Sequence, residues 1–353
     1  MIVTAAAGLA LLPTSQGTAE LWHAAVYARV QPRLTSWSSA VPVAWLDLLA
    51  VAVVIGSLAA LVGHWRGAGS LGRRAAAVAG WAAGLAVSTA ALYLLFMGLW
   101  GLNYRRAPLA DRLEFAPARV TPASMETLAG TAIDRLNALH AEAHAQGWPA
   151  AADLPARLGP AFGAVLLQLG SGWQATPAAP KPTLFGPYFR AASISGLTNP
   201  FGLDVMITPD ALPFERPSIL AHEWGHLAGY AHEAEAGFVG WLTCVHGDVP
   251  AQYSGWLDLL PRVLRGLPAE ARARVSRHLA TGPRADFAAI AKRIERASPT
   301  ITGAAWIGYD RFLKANRVPE GVTSYDAVAR LVVGTEFGDG WKPRLAPRGL
   351  TAK

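Results

Sequence analysis

The chain has 353 residues, 52% of them hydrophobic and only 16% charged, with a mean hydropathy of +0.26. That is too apolar for an ordinary soluble enzyme. The net charge of +7 does not signal nucleic-acid binding, because the arginines are scattered singly or in pairs, with no basic stripe and no interleaved aromatics. Cys244 is the single cysteine, so there is no intrachain disulfide and stability must come from packing.

In chain order, Met1–Pro13 is apolar but too short to span a bilayer and lacks the Lys/Arg start of a signal peptide; it is expected to be the remainder of a longer anchor. Leu21–Ser39 is polar-aromatic and is expected at the membrane surface. Val43–Val62 is apolar except for Asp47 near its start, and Trp45 and Trp65 bracket it as interfacial aromatics, which predicts a transmembrane helix over residues 43–62. Its rival is a buried core helix. Ala75–Tyr104 holds no charged residue and closes on Trp100 and Tyr104 before Arg105-Arg106, which predicts a second span over residues 77–99. The loop His64–Arg74 carries Arg66, Arg73 and Arg74, so the positive-inside rule puts it in the cytoplasm, although Arg29, Arg33, Arg105 and Arg106 flank the opposite ends. Everything after Tyr104 is then outside. Residues 1–107 are read as the membrane region of a multi-pass cell-membrane protein, with the lipid bilayer as one partner.

Residues 108–345 have the composition of one globular domain. Ser124–Gln146 predicts a helix with Met125, Leu128, Ile133, Leu136 and Leu139 on its apolar side. Pro149–Pro182 is read as loop and helix around Phe162–Leu169, and Asp204–Thr208 as a short strand that is either a cleft wall or purely structural. Leu257–Val333 reads as helices punctuated by Pro261, Pro268, Pro283, Pro299 and Pro319. The expected fold is mainly α: transmembrane helices followed by a zincin-like, mostly helical metallopeptidase domain with a small β element.

The chemistry concentrates in Ser218–Val245, which contains His222-Glu223-Trp224-Gly225-His226, an HExxH signature. Helix positions four apart lie one above the other, so both imidazoles can grip one zinc ion while Glu223 sits beside it. The apolar run Ile219-Leu220-Ala221 precedes it as a buried helix face would, and Gly229 follows where a helix should end.

Four stretches resemble the bacterial membrane-anchored HExxH proteins grouped as domain-of-unknown-function family 3810: Leu99–Leu109, His222–Phe238, Gln252–Leu257 and Tyr309–Val328. The resemblance covers most of the chain and implies a zinc-dependent peptidase with an N-terminal membrane region, without naming a substrate. Two positions depart from it: Gly237 stands where members tend to have Asn, and His232 where a basic residue such as Arg is usual.

A catalytic zinc needs a third protein ligand and an open position for water. His232 completes the literal pattern HExxHxxGxxH, whereas Glu233 and Glu235 suit a gluzincin-like site. Glu233 shares a helix face with Gly237, Gly240 and Cys244, whose small side chains let two helices approach, and it is the favoured ligand. No Met-turn follows, which counts against the metzincin alternative. With zinc on His222, His226 and Glu233, Glu223 is the expected general base, and Tyr230, Tyr309, Arg311 and Tyr325 are candidate oxyanion donors by residue type. The expected function is a membrane-anchored zinc metalloendopeptidase acting on extracytoplasmic peptides or envelope proteins. The alternatives are a non-peptidase zinc amidase or a zinc-binding membrane sensor or scaffold. An intact Glu223 favours catalysis, since a pure binding site needs no base there.

Overall fold

A computed structural model describes residues 2–4, 8, 14–66, 70–319, 321 and 327–347. Tyr325 and most of the expected anchor at residues 1–13 lie outside the described residues. The chain is mainly helical with little sheet.

It begins as one continuous rod, α1 (Gln16–Trp22), a π-helical turn (His23–Tyr27) and α2 (Ala28–Ser39). His23, Tyr27, Gln31, Thr35 and Ser38 recur at helical spacing and are all buried. Three of them are partnered by the globular domain: the Tyr27 hydroxyl donates to the Leu227 carbonyl at 2.9 Å, Gln31 to the Thr176 carbonyl at 3.0 Å, and Thr35 to the Leu203 carbonyl at 2.8 Å. The expectation that Leu21–Ser39 rests on the membrane is therefore corrected for this face. A polar ridge can be buried where a complementary surface satisfies every donor, and here it docks on the domain while Leu21 and Trp37 point outward.

Helices α3 (Trp45–Arg66) and α4 (Leu71–Leu99) are long and apolar enough to cross a membrane, and most of their residues are exposed. Both differ from the expected bounds. Helix α4 starts early because the Ser70 hydroxyl accepts from the Arg73 backbone N–H as an N-cap, which puts Arg73 and Arg74 inside the first turn. The two helices are pinned together by the Trp81 indole, which donates to the Ser57 carbonyl at 3.1 Å. Asp47 is buried against the domain, accepting from the Thr183 hydroxyl at 2.7 Å and the Leu184 N–H at 2.8 Å. Asp204 reciprocates, taking the Trp45 N–H at 2.8 Å as an N-terminal cap would. The first apolar helix is thus anchored by its polar start in the domain, across the boundary expected near Pro108.

The domain core is a stack of α5 (Pro122–Gln146), α6 (Leu154–Gln168), α8 (Arg216–Leu227), α9 (Glu233–Val245), α10 (Val249–Arg265) and α14 (Ala327–Gly334); α11 (Ala269–Ser276), α12 (Thr281–Ile294) and α13 (Pro299–Ala315) pack around it, α11 adding Ala271 and Val275 and α13 adding Leu313 to the same core. Trp224 is fully buried, with its ring 5.4 Å from Phe162 of α6 and its indole donating to the Ala178 carbonyl at 2.8 Å. A three-stranded sheet, β1 (Pro180–Lys181), β2 (Gly196–Thr198) and β3 (Val205–Ile207), lies beside α8, with α7 (Gly186–Ala192) between its first two strands in sequence. Its order is β1-β3-β2, with β2 antiparallel to β3. The strand expected at Asp204–Thr208 is the central β3. A small hairpin, β4 (Phe337–Gly338) and β5 (Lys342–Pro343), closes the domain.

Candidate metal centre

Helices α8 and α9 meet almost backbone to backbone. A Cβ on Gly240 would lie 2.8 Å from the His222 nitrogen, and one on Gly225 would lie 2.8 Å from the Ala236 Cα. The small-residue face expected on α9 is the face that contacts α8, and it carries Glu233 to the histidines. Between the helices the chain reverses at Gly229, whose φ of +83° suits glycine. A Cβ there would also lie 2.6 Å from the His23 ring and 2.8 Å from Asn103.

His222 Nε2 lies 3.1 Å from one Glu233 oxygen and His226 Nε2 lies 3.6 Å from the other. All three groups offer donor atoms within 4.8 Å of one another. Ligand atoms about 2.0–2.2 Å from a tetrahedral zinc sit roughly 3.3 Å apart, so this two-nitrogen, one-oxygen set fits such an ion with little movement. His226 Nδ1 donates to the Tyr230 carbonyl at 2.9 Å, which turns Nε2 toward the centre. Among the described residues His222 Nδ1 is buried without a hydrogen-bond partner, and a Cβ on Gly237 would lie 3.7 Å from it.

Charge is balanced within the centre. Burial opposes protonation of His226, yet the Glu233 and Glu223 carboxylates and the Tyr230 carbonyl outweigh it and hold the imidazole up at about 9. Burial likewise opposes the charge on Glu233, but His226 and His222 keep that carboxyl well below its ordinary range. Glu223 goes the other way: burial raises it, against the pull of both imidazoles and of the Thr198 hydroxyl. That hydroxyl donates to Glu223 Oε2 at 2.8 Å and holds the carboxylate against β2.

The rival ligands are employed elsewhere. Glu235 accepts the Leu109 N–H at 2.6 Å, and His232 packs edge-on against Tyr104 with ring centres 5.8 Å apart. Among the described oxyanion candidates, Tyr309 of α13 reaches the centre, where its hydroxyl donates to Glu233 Oε1. Tyr230 instead turns its ring toward Arg112, 5.5 Å away, and Arg311 is exposed.

Residues 22–333 match the family described as protein of unknown function (DUF3810). The chain belongs to this family. No curated protein and no solved structure matches it.

The family-like stretch Leu99–Leu109 has a visible task in the fold. It leaves the end of α4 and wraps the turn after the second histidine. The Trp100 indole donates to the His226 carbonyl at 3.2 Å, Asn103 bonds His23 at 2.9 Å, and Arg106 donates to the Gly229 carbonyl at 3.2 Å while pairing with Glu20. Gly196 and Thr198 have no comparable sequence signal. They sit in a short strand beside Pro200, and only the fold carries them to Glu223.

Proposed function

We propose that the protein is a membrane-anchored zinc-dependent peptidase in which His222, His226 and Glu233 hold the metal and Glu223 is the general base. The observation that carries this reading is the convergence of the three donor groups while Glu223 is held separately by Thr198. A zinc ion held by His222, His226 and Glu233 would supply Lewis acidity for activating water and polarising a scissile carbonyl. Glu223, raised by burial, takes a proton from the attacking water and returns it to the leaving amine. Tyr309 and the Tyr230 carbonyl steady Glu233 and His226. The strand β2, at the outer position of its sheet, offers an edge along which an extended peptide substrate pairs.

The substrates proposed are extracytoplasmic peptides or envelope proteins, reached near the membrane because Trp100 directly follows α4. Protease added to intact spheroplasts should then digest the domain, and protection until lysis would reverse the orientation.

Closure of the centre favours a second reading, a zinc-binding sensor: Glu223 is 5%, His226 7% and Glu233 2% exposed. Glu223→Gln separates the two. For a peptidase it abolishes hydrolysis of a peptide library while zinc stays bound; near wild-type turnover would remove Glu223 from the mechanism.

A further inference from the structure

On the far side of α10 the fold assembles a second group of ligand-type side chains. His140 and His144 lie four residues apart on α5, the same spacing as the pair on α8, and Asp286 comes from α12. His144 Nε2 is 2.9 Å and His140 Nε2 is 3.6 Å from Asp286 Oδ2. Tyr253 of α10 donates its hydroxyl to the same oxygen at 2.5 Å. With Tyr253 and His144 bonded there, the carboxylate oxygen is already satisfied. His140 adds a nitrogen beyond hydrogen-bonding range, yet at a separation that suits two ligands around one ion.

The surroundings hold the rings in place. The two imidazoles lie 4.3 Å apart, Tyr253 packs edge-on to both, and Trp148 stands perpendicular to His144 at 5.7 Å. Gly282 makes room for His140, since a Cβ there would lie 2.5 Å from its ring. The histidines are 26% and 36% exposed, so an ion can enter from solvent and keep water in a remaining position.

We propose that His140, His144 and Asp286 form a second metal site for a zinc-type divalent cation, which clamps α12 to α5. Two imidazoles and one carboxylate suit zinc, cobalt or nickel better than magnesium or calcium. Tyr253 orients the carboxylate through a hydrogen bond to the same oxygen, Oδ2, that faces the imidazoles. The clamp is structural. Helix α12 is tied at its other end by Arg293 to Glu215, the residue before α8, at 2.7 and 2.9 Å, so the ion braces a helix that supports the first centre without touching it.

The test uses the full chain in detergent, loaded with zinc, freed of loose metal by gel filtration and assayed for metal content. Wild type should hold about two ions, His144→Gln and His222→Ala about one each, and the double variant about none. His140→Gln, at another half-exposed position, should repeat the His144→Gln result. In the His222→Ala background, zinc at a hundredfold excess over Kd should raise the melting temperature by roughly 5 °C, and adding His144→Gln should cancel that shift. Unchanged zinc content in both His140→Gln and His144→Gln overturns the proposal. Loss of zinc in those variants but not in His222→Ala upholds it and instead overturns the reading of the first centre.

Discussion

The carboxylate of Glu223 fills the space that a side chain on Gly196 would need, because a Cβ at that position would lie 2.5 Å from Oε1 and 3.0 Å from Cδ. A side-chain oxygen can swing away from such a contact, but only by leaving the place where Thr198 holds it. Gly196→Ala should therefore lower peptide hydrolysis by about tenfold to a hundredfold, the usual cost of misplacing a reacting group by about 1 Å. Zinc content should not change, since Glu223 is not among the proposed ligands. Wild-type turnover in Gly196→Ala would show that this contact does not position the base.

Ligand and neighbour separate by metal content. Glu233→Ala removes the carboxylate shared by both histidines and should sharply reduce bound zinc. His232→Ala and Glu235→Ala change a ring contact with Tyr104 and a bond to Leu109, and should cost stability rather than metal. Losses at groups behind the ligands can still reach roughly tenfold to a hundredfold in affinity, so dissociation constants must be compared in one buffer. Tighter zinc binding by Glu233→Ala than by either of the others would remove Glu233 from the ligand set.

The metal-free centre should be sensitive to pH in a defined direction. His226 stands at about 9 against 6.5 for a free imidazole, so its stabilising contribution is complete below pH 6.5 and is lost as pH rises through 9. Glu233, lowered below 4.5, contributes above that value and loses its contribution as pH falls through its depressed folded value. Raised Glu223 adds a further loss as its buried carboxyl ionises. Chelator-treated protein should accordingly melt highest between about pH 4.5 and 6.5 and lower at pH 9. Zinc uptake between pH 6.5 and 9 should release about one proton per ion, with affinity rising alongside pH. Titration calorimetry in buffers of different ionisation enthalpy measures this, and zero proton release would contradict it.

The link between α4 and the centre runs through Trp100. Trp100→Phe keeps most of the ring packing but removes the N–H that binds the His226 carbonyl. It should cost about 1 kcal/mol of stability, as one lost hydrogen bond does. Its effect on zinc affinity should be smaller than that of His226→Ala. A loss of zinc as large as for His226→Ala would show that Trp100 shapes the centre itself rather than the turn behind it.

Local pattern was enough for some features of this protein. Helix periodicity puts His222 and His226 on one side of α8, and the spacing Glu233, Gly237, Gly240 marks the face of α9 that can approach closely, because both are properties of a single helix. Long apolar stretches identify α3 and α4 in the same way, since length and hydropathy are additive along the chain. Tertiary structure decided what depends on distant segments meeting. Asp47 looks like a flaw in an apolar helix until Thr183 and Leu184 satisfy it, and Leu21–Ser39 looks peripheral until its polar ridge meets Leu227, Thr176 and Leu203. Thr198, Trp100 and Tyr309 reach the centre from a short strand, a helix end and a late helix, and Asp286 reaches His140 and His144 across more than a hundred residues of chain. A buried polar atom needs a partner but does not encode which one, and that choice is made only when the packed surfaces come together.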